Sequence, residues 1–295
     1  MFVSYAQNGE DILLYRALRG IERGRYVDVG AADPVADSVT CAFYQRGWRG
    51  INLEPSPAAF DRLAAARPGD INLNLAAGEH EGTISFFMVE GADVLSTALP
   101  GQMAALAEQG WKSREIQVPV RRLASILAAH PIDSVHFLKI DVEGFERAVL
   151  AGADLRQFRP WINLVEATAP NSQVPTHHEW EDLLTAADYR FVWFDGLNRF
   201  YVAAEKSELA AAFQVQPNVF DRYVKYSEAL AKVQLSEANA RLQETAAALH
   251  SAQEQLAAQR IELEELRAAA RASGPRDQGT LPDSTAHRRR RAPKG

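Results

Sequence analysis

The segment Arg25-Tyr-Val-Asp-Val-Gly-Ala-Ala-Asp33 constrains this chain more than any other. An apolar β-type run, Tyr26 to Val29, ends on a glycine, and small residues follow where a helix can start. Gly30 permits a positive φ and lets the backbone close on a ligand. The N–H groups of the next turn then face that ligand. Strand, glycine turn and helix, in that order, form the nucleotide-site layout of doubly wound α/β folds. The G-x-G-x-x-G dinucleotide fingerprint is absent, and a lone Asp-x-Gly also occurs for packing alone. The next strand, Ile51-Asn-Leu-Glu-Pro55, ends on a carboxylate. An acid at the tip of a second strand is placed to accept hydrogen bonds from ribose hydroxyls. Asp28, Gly30 with Ala31 beside it, and Glu54 therefore point to an adenosine-containing cofactor.

The net charge of −6 argues against a general nucleic-acid binder, whose phosphate contacts need a basic field. The single cysteine, Cys41, excludes a disulfide framework and a cysteine-built zinc site. No apolar stretch approaches about 18 residues, so no transmembrane segment is expected. The N-terminus lacks a charged segment followed by an apolar one. These features make the cytoplasm the expected compartment.

Apolar patterning is dense to about Phe220 and dilute beyond it. Strands are expected at 25–30, 50–54, 71–77, 83–89, 118–123, 137–142, 161–167, 190–194 and 199–203. Helices are expected at 12–18, 38–46, 57–66, 146–151 and 179–187, with short ones near 102–109 and between 123 and 137. The segment 92–116 reads as a polar loop over the site. Alternation of strand and helix predicts a mostly parallel sheet covered on both faces. The last two strands form a hairpin around Asp195-Gly-Leu-Asn198, which adds one antiparallel strand late. This is the α/β, Rossmann-like plan of class I S-adenosylmethionine methyltransferases, and the hairpin suits that class better than dehydrogenases.

Three parts are expected: 1–224 as the catalytic domain, 226–271 as a helical segment, and 272–295 as a disordered basic tail. Leucines recur at 235, 242, 249, 256 and 263, a strict seven-residue step. Lys232, Asn239, Ala246, Gln253 and Arg260 are poor partners for them in a coiled-coil seam. The segment reads as a weak coiled coil or as a lone solvated helix, serving self-association or the docking of a glycosyltransferase. The Arg288–Arg291 run reads as part of a solvated tail.

The chemistry concentrates in Phe137-Leu-Lys-Ile-Asp-Val-Glu-Gly144. Strand alternation would put Lys139, Asp141 and Glu143 on one side. Three charges on so apolar a strand need a use, because unpaired buried charges are costly. The glycine after them puts Asp141 and Glu143 at the carboxyl edge of the sheet, where open α/β sheets bind ligands. A Lys–Asp ion pair stapling the strand end is the plainer reading. Glu166, Asp195 and Asn198 are expected at the same edge. Asp141, Glu143 and Glu166 could hold a divalent cation through oxygen ligands, or hydrogen-bond sugar hydroxyls. His177 and His178 precede a helix; His178 is a candidate general base.

Six segments resemble the FkbM family of S-adenosylmethionine-dependent methyltransferases, in that family's order. They are Ser4–Asp11, Tyr26–Ala31, Asn52–Pro55, Leu95–Thr97, Phe137–Glu146 and Phe194–Tyr201. Lys-Ile-Asp-Val-Glu-Gly is the most specific of them. The resemblance implies S-adenosyl-L-methionine as donor and O-methylation of a hydroxyl, commonly on a sugar or a polyketide. The opening and the Asp-Gly-Leu-Asn-Arg-Phe-Tyr ending resemble members that accompany polysaccharide-assembly glycosyltransferases, which implies a sugar or glycan acceptor. Carried over by motif, Asp28, Gly30 and Glu54 would bind the cofactor, and Asp141 and Glu143 would stand at the reaction centre. Gln7, Glu10 and Asp11 would border the pocket. Two other readings stand beside this one: a nicotinamide-dependent oxidoreductase on a similar fold, and a non-catalytic coiled-coil scaffold with a degenerate domain.

Overall fold

The computed structural model describes residues 1–91, 96–130, 132–170 and 172–274. Leu95 of the fourth motif and the tail from residue 275 lie outside the described residues. Two units emerge, Met1–Ala231 and Lys232–Gly295.

Among the described residues the first unit holds twelve strands: β1 (Phe2–Ser4), β2 (Arg25–Val29), β3 (Arg49–Leu53), β4 (Ile71–Leu73), β5 (Ala76–Ala77), β6 (Gly82–Val89), β7 (Ser113–Arg121), β8 (Phe137–Ile140), β9 (Ile162–Glu166), β10 (Tyr189–Phe194), β11 (Asn198–Ala203) and β12 (Tyr223–Lys225). Its helices are α1 (Glu10–Ala17), α2 (Cys41–Gln45), α3 (Pro57–Ala66), α4 (Pro100–Glu108), α5 (Leu123–Ala129), α6 (Glu146–Ala151) and α7 (Glu181–Ala186). The main sheet runs β10-β11-β9-β8-β2-β3-β4. All neighbours from β9 to β4 are parallel, while β11 is antiparallel to both β9 and β10. This is a Rossmann-like sheet with its late antiparallel strand inserted next to the last.

Side-chain alternation builds the two faces. Val27, Val29, Val165 and Tyr201 pack under α5, α6 and α7 in one core cluster. Tyr26, Phe137, Ile162, Leu164 and Phe200 pack with Leu13, Leu14 and Phe43 in the other. The strand order changes direction at β2 and β8, so a crevice opens beyond their carboxyl ends, the ligand-binding position of such sheets.

Several boundaries differ from expectation. The strand expected at 71–77 divides: Ile71–Leu73 stays in the main sheet, while Ala76–Ala77 pairs with Val120–Arg121 in a separate three-stranded sheet, β5-β7-β6. The segment 92–116 is only partly a loop, since it carries α4 and the start of β7. The helix expected at 38–46 shrinks to α2. Residues 38–40 stay outside it, where Ser38 Oγ and Thr40 Oγ1 both accept from Arg67.

The chain from Tyr226 to Ala272 is one continuous helix, α8, with no buried residue. Among the described residues no helix is long and apolar enough to cross a membrane.

Candidate active site

A cavity of about 380 Å³ lies beyond the carboxyl ends of β2, β3, β8 and β9. Asp28, Gly30, Ala31 and Glu54 line one wall, and Asp141, Glu143 and Glu166 line the other. The residues expected to hold the cofactor and those expected at the reaction centre share one chamber.

The first wall is closed upon itself. Gly30 has φ +78°, and a Cβ there would meet the Asp141 carbonyl oxygen at 1.9 Å. Only glycine lets the ends of β2 and β8 approach this closely. The turn does not offer its N–H groups to a ligand, contrary to the nucleotide-site expectation. Gly30 and Ala31 both donate to the Leu53 carbonyl, and Ala32 donates to Glu54 Oε2 at 2.8 Å. Glu54 Oε1 accepts from Ser56 N at 2.8 Å. Burial raises the Glu54 pKa, and these two backbone donors work against the rise. The donors fix the carboxylate while leaving each oxygen a second lone pair for a ligand hydroxyl.

Asp28 is buried and accepts from Thr40 Oγ1 at 2.7 Å. Lys139 Nζ lies 3.4 Å from Asp28, 3.3 Å from Asp141 and 2.7 Å from the Gly30 carbonyl. The Lys–Asp staple therefore exists, and it ties the two walls together. Burial lowers the Lys139 pKa, but Asp141 and Asp28 outweigh it and hold the ammonium charged. Arg67 escaped sequence reading. It is buried and donates to Thr40 Oγ1, the Pro34 carbonyl and Ser38 Oγ, each at 2.6 Å. These bonds fasten the loop that carries the lining residues Ala36 to Val39. One arginine just after an Ala-rich helix gave no signal of this.

The second wall is built differently. β8 ends at Ile140, so strand alternation cannot place Glu143. A left-handed turn does so instead, with φ +52° at Glu143 and +94° at Gly144. Such a conformation costs a non-glycine residue about 1–2 kcal/mol. Two fastenings hold it. Glu146 Oε1 accepts from Val142 N at 3.2 Å and Gly144 N at 3.1 Å. Thr97 Oγ1 donates to the Glu143 carbonyl at 3.1 Å, while its backbone pairs with Phe87 of β6. One carboxylate oxygen from each of Asp141, Glu143 and Glu166 falls within 4.8 Å of the others. Glu143 Oε2 and Glu166 Oε2 are buried without a hydrogen-bond partner. Burial, then the neighbouring Asp141 charge, pushes Glu143 up to about 8 and Glu166 up to about 11. Three carboxylates so placed favour a proton, a hydroxyl donor or a hard cation among them.

Gln7 also lines the cavity. Glu10 and Asp11 are buried but are not lining residues. Asp11 accepts from Ser4 Oγ and Tyr5 N, which pins the N-terminal segment. Glu10 accepts from Asn8 N at 2.7 Å and Asn198 Nδ2 at 3.0 Å, and burial followed by the Asp195 charge raises its pKa to about 8. Asp195 caps the hairpin through Leu197 N and Asn198 N, so that pair shapes the turn, and Leu197 is the residue that lines the cavity. His178 is exposed in a 3-10 turn, His177–Glu179, and does not line the cavity.

The model of the methyltransferase FkbM domain matches residues 28–191, more than half of the chain. The chain belongs to the FkbM methyltransferase family. It is an S-adenosylmethionine-dependent methyltransferase, and the family sets aside the oxidoreductase reading. The match takes in both walls of the FkbM site, from Asp28 through Glu166, and ends within β10. A TehB-like SAM-dependent methyltransferase from Corynebacterium glutamicum is similar in structure, with a TM-score of 0.37 and 9% identity over 66% of this chain and 87% of that one. No curated protein matches the chain significantly.

Proposed function

We propose that this methyltransferase transfers its methyl group to a hydroxyl oxygen of a sugar or glycan acceptor. One observation carries the reading: one carboxylate oxygen from each of Asp141, Glu143 and Glu166 meets the others within 4.8 Å at the cavity wall, and Glu143 and Glu166 each keep a buried oxygen without a hydrogen-bond partner. A neutral hydroxyl must lose its proton as it attacks, and carboxylates are suited to accept it. The acceptor oxygen forms a bond to the methyl carbon while the carbon–sulfur bond breaks, and sulfur leaves as a neutral thioether. The hydroxyl proton passes to Asp141, whose side chain is 36% open. Glu143 and Glu166 hold neighbouring hydroxyls of the acceptor. Asp28 fixes Lys139, and Glu54 holds the donor's ribose; Gly30 and Ala31 set the backbone against the donor, with Gln7 at the rim.

Asp141, Glu143 and Glu166 also suit a divalent cation, which when bound would lower the pKa of an acceptor hydroxyl. Residues 1–224 are assigned to methyl transfer and 226–271 to association, with a second copy or a glycosyltransferase as partner.

The test incubates the purified protein with S-adenosyl-L-methionine carrying a 13C methyl and with a panel of glycans, with and without chelator. The expected product shows an O-methyl carbon signal, with slower formation under chelation if a cation serves. Methyl found on nitrogen or carbon would overturn the acceptor chemistry. Absence of calorimetric heat from both the donor and S-adenosylhomocysteine would overturn the donor site itself.

A further inference from the structure

Helix α8 runs for 47 residues and buries none of them. Leu235, Leu242, Leu249, Leu256 and Leu263 are 47–67% exposed along one stripe. A long helix gains most of its stability by covering an apolar face, and this face is uncovered. Treating each leucine as the first seam position, rather than the second, changes the seam. The second positions become Ala238, Thr245, Ala252, Gln259 and Leu266, which are small or apolar except for Gln259. Lys232 and Arg260 then move from the seam to its edge.

We propose that α8 pairs with α8 of a second copy of this chain, antiparallel, through this leucine stripe. The small second positions choose the direction. A parallel pair sets like against like, so leucine layers alternate with nearly empty alanine layers. An antiparallel pair sets each first position against a second position. Leu249 then faces the partner's Ala252, Leu256 faces the partner's Thr245, and Leu263 faces the partner's Ala238. The same register brings Leu242 to the partner's Gln259 and Leu235 to the partner's Leu266. It is two-fold symmetric, as homodimers require, and it overlaps residues 229–272 end to end, about 65 Å of helix.

One charged pair is complementary in this register. Arg241 lies beside the partner's Glu262, and symmetry repeats that pair. On the opposite edge, Lys232 and Arg267 of the two copies come level near the helix ends. Their Cα–Cβ bonds lean apart, each toward its own N-terminus.

The test uses the full chain. Sedimentation equilibrium should show a dimer, and the double variant Leu249→Glu/Leu256→Glu should be monomeric with donor affinity unchanged within twofold. Unchanged donor binding shows that the variant's methyltransferase unit stays folded. A monomeric wild type at tens of micromolar, or a dimer that survives the double variant, would overturn the proposal. Direction is read by spin labels on Ala240→Cys, with the buried Cys41 as the unlabelled control. Antiparallel pairing separates the two labels by roughly 30 Å along the axis. Labels level with each other would mean parallel pairing and would also overturn it.

Discussion

The two walls of the cavity are both acidic, yet they are finished to different degrees. On the first wall Asp28 is held by the Lys139 ammonium and Thr40, and Glu54 by two backbone N–H groups. On the acceptor wall Glu143 and Glu166 each keep a buried oxygen with no partner. The first wall is a preformed cradle, which minimises reorganisation on binding. The second crowds carboxyl groups that resist ionising together, a strain that a reacting hydroxyl, its proton or a cation would relieve. Binding and chemistry should therefore separate by wall under mutation.

Gly30 joins the walls, so its change should do the most damage. Gly30→Ala puts a Cβ 1.9 Å from a backbone oxygen at positive φ. The expected outcome is a destabilisation of at least about 4 kcal/mol, or failure to fold, by denaturant titration. A variant with wild-type stability and donor affinity would show that the approach of β2 to β8 is not required. Next comes the contrast itself. Asp141→Asn should lower turnover by roughly a hundredfold or more, with donor affinity within a few-fold. Glu54→Gln should do the reverse: donor affinity falls about tenfold while turnover at saturating donor is retained. If both variants lose the same quantity, the division between walls is wrong.

Which parts of this were legible in the chain follows from how local their causes are. The glycine turn, the acid ending β3 and the late hairpin depend on neighbours in sequence, and each lies where its residues place it. Glu143 reached the expected edge for a different reason: a left-handed turn held by Glu146 and Thr97, not strand alternation. Thr97 belongs to a segment dozens of residues upstream, and its role depends on pairing with Phe87. No periodicity reveals such a pairing. The transfer of Ala76–Ala77 to the second sheet is non-local in the same way. The free N–H groups expected after Gly30 were lost to a carbonyl on the neighbouring strand, Leu53, which only the parallel register of β2 and β3 shows.

Thr97 gives a finer cut through the acceptor wall. Thr97→Val keeps shape but removes the donor to the Glu143 carbonyl and the acceptor for Leu99 N. Loss of such bonds is worth about 1 kcal/mol. Turnover should fall about fivefold with donor affinity unchanged, and Thr97→Ser should restore it. A fall in donor affinity instead would link the second sheet to the other wall.

The smallest effect on turnover lies outside the cavity lining, at Glu10. Its folded pKa of about 8 exceeds the ordinary 4.5 because burial, and then Asp195, disfavour the charge. The folded protein therefore holds a proton that the unfolded chain releases. Stability from this group is present in full below about pH 4.5, declines as pH rises, and levels off above about pH 8. Glu10→Gln keeps a neutral group there and removes the titration. Its unfolding free energy should fall less between pH 5 and 8 than that of the wild type, by up to a few kcal/mol. The Asn198 contact offsets part of the gain, because a carboxamide presents one acceptor where Glu10 uses two oxygens. Parallel pH profiles for the two proteins would mean that Glu10 stays ionised in the fold. The hairpin would then carry a buried charge behind a cavity that is already rich in carboxylates, and the acceptor wall would feel it.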